Sequence, residues 1–180
     1  MAMSQWAPAR ANIEFGLARI IEVEAATCCA GAWANISLTR WVGRGTAAAV
    51  DKVSRVGDEV RTQYPSGVSA IHLIAETAGM PTPEAREGLV KLMNRKTERL
   101  GCVGVVVGGS GFWASAIRSL VTGMRAVSSR AYELKLAGSI DEIVAWFPDQ
   151  HAKRTGIAID PDELAKALRT ANEWRADADD

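Results

Sequence analysis

A chain of 180 residues with 48% hydrophobic and 23% charged residues can bury one sizeable core without metal or disulfide support. Lys+Arg and Asp+Glu number 21 each, and zero net charge speaks against a nucleic-acid protein that relies on a general positive field. The three cysteines form neither a disulfide framework nor a zinc spacing, and no basic-apolar leader or run of about 20 apolar residues is present, so the expectation is a reduced, cytoplasmic chain with no membrane span.

Residues 1–17, with Trp6 and Pro8, show little periodicity and read as a lead-in. Arg19 to Thr27 alternates Ile21, Val23 and Ala25 against Glu22 and Glu24, as a strand does. Cys28-Cys29-Ala30-Gly31 reads as the turn that follows. Trp33 to Val42 alternates again, with Ile36 and Leu38 on one side and Ser37, Thr39 and Trp41 on the other. The pair is expected as an antiparallel hairpin with one face open to water or a partner.

Gly45 to Tyr64 carries Val50, Val53, Val56 and Val60 at helical spacing, and Pro65-Ser66-Gly67 stops it. Val68 to Glu76 is the next strand. Thr82-Pro83 pairs a capping hydroxyl with a first-turn proline, opening a helix expected to bury Ala85, Leu89, Leu92, Met93 and Leu100 and to end at Gly101. Val103 to Val107 is short, β-branched and bounded by glycine, which suits a strand buried on both faces. After Gly108-Gly109-Ser110-Gly111, the residues Ile117, Leu120, Val121, Met124 and Val127 form one helical stripe. Tyr132 to Ala137 is a last strand. Ser139 with Glu142 opens a short helix, and Asp160-Pro161-Asp162-Glu163 opens a terminal one that buries Leu164, Leu168 and Ala171.

The predicted class is therefore α/β: a mixed, mostly parallel sheet of about five strands, an N-terminal antiparallel hairpin, packed helices and an extra C-terminal helix. The domain occupies residues 18–148, and 149–180 form a helical extension.

That order resembles the STAS-type fold of sulphate transporters and anti-sigma-factor antagonists. The residues that carry the resemblance are the strand Asn35 to Trp41 with the helix after it, the strand Val103–Val107, the loop into helix Phe112–Val127, and the closing stretch Glu133 to Phe147. The resemblance implies a switchable protein-binding module, and some relatives bind nucleotides or lipids. The best-known branch carries a phosphorylatable serine at the start of the helix after its third strand, in an Asp-Ser-Ser-Gly-like motif. Here the matching stretch, Ala75 to Thr82, holds no serine.

Several residues stand out as candidate sites. Gly108, Gly109, Ser110 and Gly111 at a strand's carboxyl end could cradle an anion, or could simply make a tight turn. No Lys-Ser/Thr follows them, so the loop is not a P-loop. Trp41, Phe112, Trp113, Arg118 and Thr82 are candidates for partner contact. His72 reads as a core histidine, and His151 falls in a polar stretch expected to be solvated. No catalytic constellation, metal set or cofactor motif is read. The expected function is a non-enzymatic regulatory or scaffolding domain that binds a protein partner or itself as a homodimer. The alternative is a small-ligand binder, taking a nucleotide or anion at the glycine loop or a lipid between helices.

Overall fold

The computed structural model describes residues 16–95, 99–127 and 132–176, so the lead-in up to residue 15, Arg130 and the acidic tail from 177 lie outside it. A six-stranded sheet runs in sequence order: β1 (Arg19–Glu24), β2 (Cys28–Trp33), β3 (Ile36–Trp41), β4 (Val68–Ile74), β5 (Leu100–Val107) and β6 (Glu133–Ala137). The first three strands form an antiparallel meander, and β3 through β6 are parallel. Three crossovers carry α1 (Ala47–Gln63), α2 (Pro83–Asn94) and α3 (Gly111–Val127). Right-handed crossovers that always step in one direction must place their helices on one face, and α1 to α3 share their buried residues with that face alone. The opposite face is closed by α4 (Ile140–Val144), α5 (Phe147–Thr155) and α6 (Pro161–Asn172). Residues 149–176, expected as an extension, thus roof half of the core.

Side chains set the boundaries of these elements. The hydroxyls of Thr46, Thr82 and Ser139 each accept from the amide three residues on, and Asp160 accepts from Asp162 and Glu163. The Glu142 carboxylate returns to the Gly138 amide, one residue before the cap. Helix α2 ends at Asn94, earlier than expected, because Leu100 already pairs with Val68 as the first residue of β5. Val127 is exposed, so the α3 stripe is shorter by one turn.

The stretch Cys28 to Gly31 is not a turn. It is the first part of β2, every residue of which is buried. The chain reverses one step earlier, where Ala26 takes φ of 55°. Gly31 sits mid-strand because another segment crosses it: a Cβ there would stand 2.8 Å from Trp174 Cη2 and closer still to the Arg19 carbonyl oxygen. The C-terminal segment is held over the meander by Arg40 Nη1, which donates to the Trp174 carbonyl, and by the Ala26 amide, which donates to the Ala176 carbonyl at 2.6 Å. The α6 segment and the residues after it thus cover the Ile36 and Leu38 face of the meander, while α1 and α2 cover the Trp41 face that was expected to be open.

Candidate functional site

The expected site residues gather at the carboxyl rim of the strands and then separate by direction. Gly109 and Gly111 take φ of 77° and 88°, as the turn from β5 into α3 requires. Arg118 Nη2 donates to the carbonyls of Val107 and Gly109 at 2.8 and 3.2 Å, which ties that guanidinium into the loop. The Glu76 carboxylate lies so close to Gly109 that a Cβ there would overlap it. A negative charge beside the glycine turn works against an anion, whatever the helix dipole offers. Thr82 is occupied as the cap of α2. Trp113 Nε1 donates to the Ala78 carbonyl at 2.7 Å, so its ring turns inward. Trp41 is only 8% exposed, because α1 and α2 cover the face of β3 that its alternation marked as open. Phe112 alone of the aromatic candidates points outward, at 91% exposure, with Met80 also exposed on the same rim.

A second feature lies inside. Between the helices α1, α2 and α3 and the strands β3 to β6 is an apolar cavity of about 160 Å³. Its floor includes Val68, Ala70, His72 and Ile74, alternate residues of β4, with Val103 and Val105 of β5 beside them. Its roof includes Val53 and Gly57 of α1, Leu89 and Leu92 of α2, and Val121 and Met124 of α3. The cause is legible in side-chain size: Ser54 and Gly57 on the helix, and Ser37 and Ala70 on the sheet, are too small to meet across the gap. Helix α2 shows the consequence. Only Ala85 of that helix is fully buried, while Leu89, Leu92 and Met93 keep part of their surface facing the gap.

Two kinds of polar group border the cavity. In the middle, the His72 ring lies below the protein surface yet remains partly accessible within the cavity. Trp41 Nε1 approaches His72 Nδ1 at 3.5 Å, a long and weak hydrogen bond. In the neutral tautomer that accepts this bond, Nε2 carries the proton. Desolvation pushes the His72 pKa down to about 4, so the ring stays neutral at pH 7. At the end nearest the starts of β4 and β5 stand Arg61, Arg95, Ser54 and Tyr132, whose hydroxyl donates to the Met93 carbonyl.

No protein-family model matches this chain, and no curated protein matches it either.

The other face holds a buried polar cluster. His151, expected in solvent, is fully buried on α5, stacked on Phe147 with ring centroids 5.8 Å apart. Its Nδ1 lies 2.8 Å from Ser69 Oγ, which also accepts from the Cys102 amide at 3.1 Å. The serine and histidine resemble the start of a nucleophile–base pair, but α5 and the sheet close over both. Burial holds His151 at a pKa of about 4 and pushes the thiols of Cys28 and Cys102 up to about 12, which removes the thiolate chemistry needs. Among the described residues there is no cluster of three or more metal-ligating side chains, and no helix is long and apolar enough to cross a membrane.

Proposed function

We propose that this chain is a STAS-like binding module whose ligand is a small apolar molecule held between α1, α2, α3 and the sheet. The observation that carries the reading is the cavity. Native interiors contain few voids larger than a water molecule. Left unfilled, about 160 Å³ leaves the apolar side chains that border it without packing partners on that side. Water gains little in apolar surroundings, whereas an engineered apolar cavity of about 150 Å³ takes up benzene. Gaps of this size favour an apolar guest, and the half-buried underside of α2 makes that helix the natural gate.

A test follows from Ala70 on the cavity floor. Ala70→Leu should fill part of the space, raise the midpoint of thermal unfolding and abolish any response to hexan-1-ol. The wild type should be stabilised by about 1.4 kcal/mol when hexan-1-ol is at about ten times its Kd. A wild-type midpoint that hexan-1-ol never raises would falsify the proposal.

Phe112 favours a second reading, in which the carboxyl rim docks a protein partner. An exposed aromatic ring on the same rim as the exposed Met80 has the composition of a small binding hot spot. The two readings are compatible, because a guest beneath α2 and α3 lies next to the rim those helices form.

A further inference from the structure

We infer that the ligand carries a carboxylate, and that its head rests on Arg61 and Arg95 while its apolar body lies along Ala70 toward His72. The inference rests on the cavity being a ligand site and adds the chemistry of the ligand's polar end. Val68, Ala70 and His72 share one face of β4, so the floor from Val68 to His72 is roughly 13 Å long. One end is apolar, and the other meets two guanidinium groups. Arg61 closes α1, Arg95 follows α2, and the register of β4 with β5 brings Val68 opposite Leu100 beside them.

Among the described residues, the charges at that end do not balance. One carboxylate, Asp58, serves both arginines, at 3.0 Å from Arg61 Nη2 and 3.4 Å from Arg95 Nη1. Arg95 Nη1 also donates to Ser54 Oγ at 2.9 Å. Arg61, Arg95 and Ser54 line the cavity and Asp58 does not, so the described part of the wall presents net positive charge to a guest. A carboxylate is the planar acceptor that matches the guanidinium fork. An ammonium head would meet two like charges, and a hydroxyl head would leave the excess charge unanswered.

The test compares three guests with the same six-carbon body: hexanoate, hexan-1-ol and hexylamine, titrated by calorimetry at low salt into the wild type, Arg61→Gln and Arg95→Gln. Hexanoate should bind about tenfold more tightly than hexan-1-ol, and hexylamine more weakly than either. Either glutamine variant should remove most of the preference for hexanoate while leaving hexan-1-ol binding intact, and added salt should narrow the gap in the wild type. Equal binding of hexanoate and hexan-1-ol overturns the carboxylate assignment and leaves the apolar site standing. Binding of none of the three overturns both.

Discussion

Acidification from neutral pH to about pH 4 should strip this fold of roughly 6 kcal/mol of stability through two histidines on opposite faces of the sheet. His72 and His151 both have folded pKa values pushed down to about 4 by burial, against an ordinary value of 6.5. In the unfolded chain each ring takes up a proton near pH 6.5; in the fold each resists until near pH 4. Between those limits the unfolded state binds more protons, so stability falls as the pH falls. The loss begins below about pH 6.5 and levels off below about pH 4. Each histidine contributes roughly 3 kcal/mol to it. Their neighbourhoods explain why neither finds relief: His151 is enclosed by Phe147 and Ser69, and His72 faces an apolar cavity. Urea unfolding at a series of pH values measures the slope. His151→Gln and His72→Gln should each lower stability at pH 7 and remove about half of the acid-dependent loss. A slope that neither variant changes would place the acid sensitivity elsewhere.

Gly31→Ala should lower stability by about 3 kcal/mol or more, an effect far beyond the usual cost of one methyl group. The new Cβ would overlap the Arg19 carbonyl oxygen and stand 2.8 Å from the Trp174 ring. The first obstacle is backbone, held in the β1–β2 ladder where Arg19 faces Ala32, so it cannot swing aside. Relief requires either that β1 shift or that the segment after α6 lift off. Gly123→Ala provides the contrast. That glycine lies mid-helix in α3 with nothing within 4 Å of the added carbon, and the change should stabilise by up to about 1 kcal/mol through helix propensity. Chemical denaturation of the two variants side by side reads both signs. A Gly31→Ala protein as stable as wild type would mean that β1 and the Trp174 segment both yield easily to the added carbon.

The alternating strands and the helical stripes were legible in the sequence because both faces of each element obey simple periods. The parallel β3–β6 core, the caps at Thr82, Ser139 and Asp160, and the burial of Leu164, Leu168 and Ala171 follow directly from those patterns. Cys28–Gly31 reads as a turn because a glycine after small residues marks one by default, whereas in the fold the close approach of the Arg19 backbone and of the distant Trp174 ring gives it another purpose. Trp41 misled in a related way. Alternation with Ser37 and Thr39 signals an open face, but helices cover both sides of β3. His151 was hidden by its polar neighbours: Lys153 and Arg154 take the exposed side of α5 while the ring turns inward.

The cavity was the least visible feature, since a void is a property of facing pairs rather than of any one segment. Its trace in the sequence is the set of small residues Ser37, Ser54, Gly57 and Ala70, which only the register of α1 over β3 and β4 brings together. Arg61 and Arg95 each ended or followed a helix as an ordinary surface cation. Their shared use of Asp58 at one end of the cavity depends on two crossovers returning to the same edge of the core.

The most direct measurement is a benzene titration followed through the methyl resonances of Leu89, Leu92, Val105 and Met124. Saturable shifts at these methyls, lost in Ala70→Leu and absent at the exposed Val127, are the expected result. Shifts that never saturate, or that appear only around Phe112 and Met80, would show that the space under α2 and α3 takes no guest.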